Sequence, residues 1–336
     1  MSSFYTSLVL LGDDILYRGY EHGERVHYRE KIKPTLFLVP DAQKRPSEYR
    51  TLDGRKAYPK KFDGAREARE FIKTYQDAAG LEVHGYERFI YQHIGQKFSG
   101  EIDYDMTQMK IYTIDIEVAC ENGFPDVESA AEEILLISIQ DYTTKQIHTW
   151  GLGEFNNKQK NVIYKSFRTE YDLLNAFINW WMIEGNTPEV ITGWNSKLYD
   201  IPYVCRRLER VLGSKLMKRM SPWGLVTECE THIMGRRHIS YDIGGVSQLD
   251  YLDLYKKFTY KAQESYRLDY IASVELGQKK LDHSEFDTFK DFYTNGWQKF
   301  VEYNIIDVEL VDRMEDKMKL IELALTMAYD AKVNYE

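Results

Sequence analysis

The spacing of apolar residues changes several times along the chain, and each change predicts a different kind of element. Four runs near the beginning have the two-residue period of strands, with turn residues between the first three. These runs are Phe4–Leu11, Ile15–Tyr20, Arg25–Ile32 and Thr35–Val39. A helical spacing follows from Asp63 to about Ala79, where Gly80 would suit a helix end. The N-terminal part is therefore predicted to be β-rich with at least one helix.

A polar stretch at residues 95–108, which contains two glycines, predicts a domain boundary. We place the domains at residues 1–105 and 106–336. Beyond the boundary, three strands lead into a helix from about Glu170 to Ile183. The strands are Ile111–Val118, Ile134–Ile139 and Gln146–Trp150, and the last two should form a hairpin.

The later part of the chain alternates between strand and helix patterns. Pro188–Asn195 is typical of a short strand that ends in a turn, and a helix should begin at Tyr199 and Asp200. Leu225–Ile243 alternates like a hairpin whose tip is Met234–Arg237. Three further elements follow. They are a partly strand-like run at Val246–Leu254, a short capped helix at Ser265–Ala272 and one long helix from Phe300 through Leu323.

Two acidic residues interrupt the apolar strand at Ile111–Val118. Side chains alternate along a strand, so Asp115 and Glu117 point to the same face. Two carboxylates on a buried face repel each other and are costly to remove from water. Because no lysine or arginine lies within the stretch, a hard metal ion is the natural partner. The alternative is an edge strand with both acids in water.

Two further acidic positions lie at places where a charge needs a partner. Asp200 is expected at a helix N-terminus just beyond a strand end, where ligand sites of α/β sheets gather; a plain N-cap aspartate is the alternative. Tyr303 and Asp307 are four residues apart and share one helical face, so the hydroxyl could orient a water molecule. The alternative is a Tyr–Asp hydrogen bond under a loop.

Taken together, these positions predict a two-metal site. Four carboxylates on three elements can hold two divalent cations, which activate water and stabilise the leaving oxygen in phosphodiester hydrolysis. The candidate ligands include no cysteine or histidine, which favours Mg²⁺, with Mn²⁺ able to substitute.

Composition changes this picture only in part. The net charge of the 336 residues is -9, which argues against a large duplex-binding surface but not against a small cleft where cations supply positive charge. The 26 tyrosines could stack on bases or simply fill half-buried positions. Three cysteines without zinc spacing are expected as free thiols in a reducing compartment. Neither a signal peptide nor a membrane span is predicted.

Basic residues leave two interpretations open. They could steer phosphates or contact RNA or template DNA, or they could be ordinary solvated surface. Scattered lysines and arginines occur between residues 31 and 61. The most basic run contains Arg206, Arg207, Arg210, Lys215, Lys218 and Arg219.

The acidic positions resemble a known group of nucleases. Asp115 with Glu117, then Asp200, then Tyr303 with Asp307 look like the three motifs of the DEDD-type 3′→5′ exonucleases, in the version with tyrosine. Over essentially the whole chain, the sequence resembles the family B DNA polymerases of T-even-like bacteriophages. The segments that carry this likeness are Thr192–Asn195, Tyr199–Val204, Tyr251–Phe258, Ser265–Ile271 and Tyr303–Val308.

The resemblance implies an α/β fold. A ribonuclease H-like exonuclease domain, with a mixed central sheet flanked by helices, would follow a smaller β-rich α+β N-terminal domain. The implied activity is proofreading: removal of a single-stranded DNA 3′ end as nucleoside 5′-monophosphates. A mismatched end unpairs at lower cost and therefore reaches such a site more often.

The same resemblance implies a role for each site residue. Asp115 would bridge both cations. Glu117 and Asp307 would complete the site that activates the attacking water, which Tyr303 would orient, and Asp200 would hold the second cation. Phe124 would wedge against the terminal bases, and the hairpin would separate a frayed primer end from its template. Contacts with nucleic acid are thus expected from Phe124, Asn195, Tyr199, Met234, Arg236 and Arg237.

The sequence departs from this family at its end. It stops at Glu336, and the S-L-Y-P-S and D-T-D motifs of nucleotide addition do not occur. The expected partners are a primer-template and the remaining palm, fingers and thumb of a polymerase, in the same or a separate chain. The expected location is the cytoplasm of an infected bacterial host. Two alternatives stay open: a free-standing oligonucleotide exonuclease, and an RNA-binding repressor role of the N-terminal domain.

Overall fold

The fold is taken from a computed structural model that describes residues 3–42, 45–85, 88–120, 123–233, 235–278, 281–282 and 284–335. The chain divides into two compact units. The first extends to Tyr104 and also includes Thr326–Asn334, and the second contains Asp105–Leu325. Our division into domains at 1–105 and 106–336 stays a prediction.

Antiparallel sheets form most of the first unit. The first three strands form one sheet in chain order. In the other sheet the fifth strand pairs with the sixth, the sixth with the fourth, and the fourth with the seventh. The strands are β1 (Phe4–Leu11), β2 (Asp14–Glu21), β3 (Glu24–Lys31), β4 (Thr35–Pro40), β5 (Tyr49–Arg50), β6 (Lys56–Lys61) and β7 (Leu81–His84). The helices are α1 (Ala65–Tyr75) and α2 (Phe89–Lys97). The first four strands are confirmed as predicted, whereas β5, β6, β7 and α2 were not predicted.

The predicted end of the first helix is wrong. Helix α1 ends at Tyr75, and Gly80, with φ of +77°, is instead the turn residue directly before β7. A positive φ costs glycine little, so the residue marks the turn into the strand rather than the helix end.

The late segment Thr326–Asn334 completes the core of the first unit around β1. The hydroxyl of Tyr5 donates to the carbonyl of Val333 at 2.6 Å, and the hydroxyl of Tyr329 donates to the carbonyl of Tyr5 at 2.6 Å. Asn334 bonds both backbone groups of Leu8, at 3.2 and 2.9 Å. Residues more than 300 positions apart in sequence therefore share one set of hydrogen bonds.

A six-stranded mixed sheet forms the centre of the second unit. Its strands and the separate hairpin are β8 (Ile111–Val118), β9 (Ile134–Asp141), β10 (Ile147–Gly151), β11 (Val162–Ser166), β12 (Val190–Thr192), β13 (Val226–Ile233), β14 (Arg236–Ile243) and β15 (Ser247–Gln248). The sheet order is β11-β10-β9-β8-β12-β15, and β13 pairs with β14. Because β8 lies between antiparallel β9 and parallel β12, the edge-strand interpretation of Asp115 and Glu117 is wrong.

Helices cover both faces of this sheet. The helices of the second unit are α3 (Glu170–Trp181), α4 (Asp200–Leu212), α5 (Ser214–Met217), α6 (Tyr251–Phe258), α7 (Leu268–Leu276), α8 (Phe289–Asn295) and α9 (Trp297–Met318). Helix α10 (Leu320–Ala331) begins in this unit, and its residues from Thr326 on belong to the first unit. One core joins β8 to α3 and α4, and another joins the sheet to α9. The predicted α/β class, with a mixed sheet flanked by helices, is confirmed. No helix in the described part of the chain combines the length and apolarity of a membrane span.

Three predicted elements differ from the structure in where a helix begins or ends. The run Val246–Leu254 contains the short strand β15, in line with its partly strand-like pattern, but from Tyr251 on it belongs to helix α6. The N-cap of α6, Asp250, accepts a hydrogen bond from the backbone N–H of Leu252 at 2.9 Å. Helix α7 begins at Leu268, so Ser265 is not its cap. The long helix breaks at Lys319, with φ of +58°, where Glu315 accepts from the backbone N–H of Ile321 at 3.0 Å.

A buried ion pair fixes α4 against α3. Arg207 donates from Nε to Oε1 of Glu170 at 2.7 Å and makes a second, shorter bond to Oε2 of the same carboxylate. Arg207 also donates to the carbonyl of Ala130 at 2.9 Å, and Glu170 accepts from the backbone N–H of Ile134 at 2.9 Å. Arg207 is therefore neither a phosphate-steering residue nor a solvated one, and both interpretations are wrong for it.

Candidate metal centre

Three carboxylates meet on the face of the central sheet that packs against α9. Asp115 and Glu117 come from β8, and Asp307 comes from α9. Each offers one oxygen, and these three oxygens all lie within 4.8 Å of one another. Glu117 is 9% exposed and Asp307 is 3% exposed. Carboxylates so close together, two of them buried and Asp115 partly exposed, repel unless a cation lies between them. This all-oxygen set therefore fits a hard divalent cation.

An irregularity in the strand pairing lies directly beside Glu117. Glu117 pairs with Leu136, but the next residue, Val118, pairs with Ile134, so β9 contributes one extra residue. Bulges of this kind bend a strand and re-aim its side chains, and they are frequent next to active sites. The regular pairing of β8 with β9 therefore ends directly after Glu117.

Asp200 reaches β8 along the edge of that strand that pairs with β12. Strand β12 ends at Thr192, opposite Thr113, which leaves room beside the later part of β8. Oδ1 of Asp200 accepts a hydrogen bond there from the backbone N–H of Ile116 at 3.0 Å. The N-cap of α4 is Tyr199, which makes no side-chain cap. The interpretation of Asp200 as an N-cap is therefore wrong.

The electrostatic surroundings of Asp200 favour a nearby cation. Burial raises the pKa of Asp200 to about 7. The charges of Asp250 and Asp307 also raise this pKa, whereas the hydrogen bond from the backbone N–H of Ile116 lowers it. Asp200 is outside the group of three oxygens described above. A cation beside Asp200 would offset the burial by favouring the ionised carboxylate.

A tight turn between β12 and α4 brings Asp200 to the sheet. Gly193 lies so close to β8 that an added Cβ would be 2.5 Å from the carbonyl oxygen of Ile114. Asn195 follows with φ of +64°, a conformation that asparagine adopts more readily than most residues. Asp250 fastens this turn, because it accepts from the backbone N–H of Asn195 at 3.1 Å and of Lys197 at 2.9 Å.

Two residues at this site were not identified from the sequence. Asp250 could have been found as an acidic residue directly before a helical pattern, a common N-cap signal. Asn304 left a weaker signal, a polar residue among the apolar positions of α9. Its Nδ2 donates to Oδ2 of Asp115 at 2.7 Å, and its side chain is 0% exposed.

An aromatic pair links the carboxylates to the surface. Phe124, in the loop after β8, is 82% exposed, and its ring centroid is 5.2 Å from that of Tyr199. Burial raises the pKa of the Tyr199 hydroxyl, and the charges of Asp200, Glu117 and Asp115 add to this effect. Tyr199 therefore lies within the field of the carboxylates and also touches an exposed ring.

The remaining predicted residues have different surroundings. Tyr303 is half-buried on α9, one turn before Asp307, with its ring edge-on to Phe292 at 5.8 Å between centroids. Arg236 is exposed on β14. Arg237 makes an ion pair with Glu128 and another with Glu230 at 3.0 Å. Met234 lies outside the described residues. The hairpin is confirmed, and its contacts with nucleic acid stay predictions.

The chain is similar in sequence to known DNA polymerases. The family model of the exonuclease domain of DNA polymerase family B matches residues 90–271. The DNA-directed DNA polymerase of Escherichia phage RB69 is 31% identical over 364 aligned residues, and that of Enterobacteria phage T4 is 32% identical over 362. Each alignment covers 100% of this chain but only 39% of the phage protein. The DNA polymerase catalytic subunit of human herpesvirus 6B is 28% identical over 215 residues, which are 60% of this chain and 21% of that protein.

Proposed function

Because the chain belongs to DNA polymerase family B, through its exonuclease domain, we propose that it performs 3′→5′ proofreading for a phage replicative polymerase. The observation that carries the proposed chemistry is that Asp115, Glu117 and Asp307 each offer one carboxylate oxygen, and that these oxygens lie within 4.8 Å of one another. The proposed substrate is the 3′-terminal phosphodiester of single-stranded DNA, and the product is a nucleoside 5′-monophosphate.

The carboxylates are proposed to hold two divalent cations. Glu117 and Asp307 would share the first with Asp115, and Asp200 would share the second with Asp115. Mg²⁺ is the proposed ion, since every donor is a carboxylate oxygen, and Mn²⁺ should substitute. When bound, two such cations activate water and stabilise the leaving oxygen.

The other residues of the site are proposed to position the reactants. Tyr303, one turn before Asp307, would hydrogen-bond the attacking water and orient it towards phosphorus. Phe124 and Tyr199 offer adjoining aromatic faces on which the last bases can stack, an interaction of about 1 to 3 kcal/mol per base. Asn195, Met234, Arg236 and Arg237 stay predicted contacts of the DNA. An unpaired end, freed from its duplex, would reach these faces most readily.

The proposed partners follow from the family. They are a primer-template and the palm, fingers and thumb of the polymerase, and the proposed place of action is the cytoplasm of an infected bacterium. A free-standing oligonucleotide exonuclease stays the alternative. The RNA-binding role of the N-terminal domain stays a prediction.

Cleavage should require a divalent cation and should proceed from the 3′ end. A single-stranded DNA oligonucleotide labelled at its 5′ end, incubated with the chain and Mg²⁺, is expected to give a ladder of shortening products. The same oligonucleotide labelled at its 3′ end should release a labelled mononucleotide at once, and EDTA should stop both reactions. A folded sample that cleaves with neither Mg²⁺ nor Mn²⁺ would contradict the proposal for this chain.

Replacing Tyr303 by phenylalanine should slow the chemical step while leaving the fold intact. The variant keeps the ring that packs against Phe292 but loses the hydroxyl that is proposed to orient water. We expect single-turnover cleavage at saturating Mg²⁺ to fall about 10- to 100-fold, a loss of about 1.4 to 2.7 kcal/mol. Tyr171, which is exposed on α3, provides the control Tyr171→Phe. An unchanged rate in Tyr303→Phe would show that the hydroxyl takes no part.

A further inference from the structure

Asn304 forms a side-chain hydrogen bond to one member of the carboxylate group. Its Nδ2 donates to Oδ2 of Asp115 at 2.7 Å, from a fully buried position on α9. Three residues further along the same helix, Asp307 contributes its own carboxylate to the group. The bond from Asn304 therefore fixes β8 relative to α9 at the point where their carboxylates meet.

The chemistry of the donor suits a site that binds a cation. A lysine or arginine at this position would neutralise Asp115 permanently and would compete with a metal ion. An amide donor orients the carboxylate without adding charge, and one such bond takes up only part of the capacity of a carboxylate to accept bonds. Partners of this kind set the orientation of metal ligands in many proteins.

The carbonyl oxygen of the Asn304 side chain argues against a purely structural role for this residue. Oδ1 of Asn304 is buried and has no hydrogen-bond partner among the described residues. A buried acceptor without a partner lowers the stability of a fold, so an apolar residue of similar size would serve the core better. We propose that Asn304 is a positioning residue that holds Asp115 in the orientation needed to bind divalent cations. This inference rests on the proposed function.

The test measures metal binding in the absence of DNA. Mn²⁺ titrated into the full chain, followed by the electron paramagnetic resonance of free Mn²⁺, gives the affinity directly. We expect Asn304→Leu to bind Mn²⁺ about 10- to 100-fold more weakly than the unmutated chain, with its circular dichroism unchanged. The control is Asn186→Leu, which removes a similar amide bond, to the carbonyl of Trp180 at 2.9 Å. It should bind Mn²⁺ like the unmutated chain.

The possible outcomes separate this inference from the proposed function. If the unmutated chain binds Mn²⁺ and a folded Asn304→Leu variant binds it equally well, the positioning role is overturned and the proposed function stands. If the unmutated chain binds no Mn²⁺, the proposed function fails and this inference fails with it. Should Asn304→Leu not fold, Asn304→Ala gives the same comparison without a new apolar contact, and equal affinity there would again overturn the role.

Discussion

Replacing Asp115 by alanine should abolish nuclease activity without unfolding the chain. Asp115 is the carboxylate that both cations are proposed to share, so we expect single-turnover cleavage with Mg²⁺ to fall about 1000-fold or more, at least about 4 kcal/mol. The substitution removes one of three mutually repelling carboxylates, but it also leaves the buried Nδ2 of Asn304 without its acceptor, so the melting temperature without metal should change little. Cleavage of a labelled oligonucleotide and circular dichroism measure the two effects.

A matched control is available in another strand. Asp242, an exposed residue of β14, can be replaced by alanine, and the activity of that variant should match that of the unmutated chain. The metal assignment of Asp115 would be refuted if Asp115→Ala kept more than about a tenth of the activity, a loss below about 1.4 kcal/mol.

Replacing Arg207 by methionine should lower the free energy of unfolding more than any substitution proposed above for the metal site. The variant leaves Glu170 buried without its cation, and breaking a buried pair in this way costs about 3 to 5 kcal/mol. All six tryptophans lie between residues 150 and 297, within the second unit, so urea denaturation followed by tryptophan fluorescence reports on the unit that contains Arg207.

The neighbouring arginine gives the comparison that isolates the buried charge. Arg210 is exposed and donates only to the carbonyls of Ser129 and Ala130 among the bonds described here, so Arg210→Met should cost less than about 1 kcal/mol. The double variant Arg207→Met with Glu170→Gln should recover part of the lost stability, because no unpaired charge remains. A loss in Arg207→Met no larger than in Arg210→Met would show that the ion pair contributes little.

Local patterns were sufficient to predict much of the second unit. The hairpin of β9 and β10, the start of α4 at Asp200 and the shared face of Tyr303 and Asp307 all follow from periodicity and turn residues, and all are confirmed. The resemblance to the family B polymerases of T-even-like phages is also confirmed. Strand β11 was not predicted; it is short, and its pairing with β10 joins it to the sheet.

The site was predicted less completely because the hydrogen bonds that hold its residues in place join positions far apart in sequence. Asp115 and Glu117 could be paired from the strand period, and Asp307 was expected to join them; one oxygen of each lies within 4.8 Å of the others. The N-cap position of Asp250 has a signal in the local sequence, but its bonds to the turn after β12 do not. The bond from Asn304 to Asp115 of β8 likewise has no local signal. The burial of Arg207 likewise depends on Glu170, which lies 37 positions earlier.

The late segment that completes the first unit bears on the order in which the protein folds during synthesis. Strand β1 leaves the ribosome before the other strands described above, yet Tyr329, Val333 and Asn334 are among its hydrogen-bond partners. The first unit can therefore close its core only after residues 326–334 have been made, although domains usually fold in order from the N-terminus. A fragment of residues 1–105 would lack these partners, so measurements of RNA binding by the N-terminal domain should use a protein that retains residues 326–334.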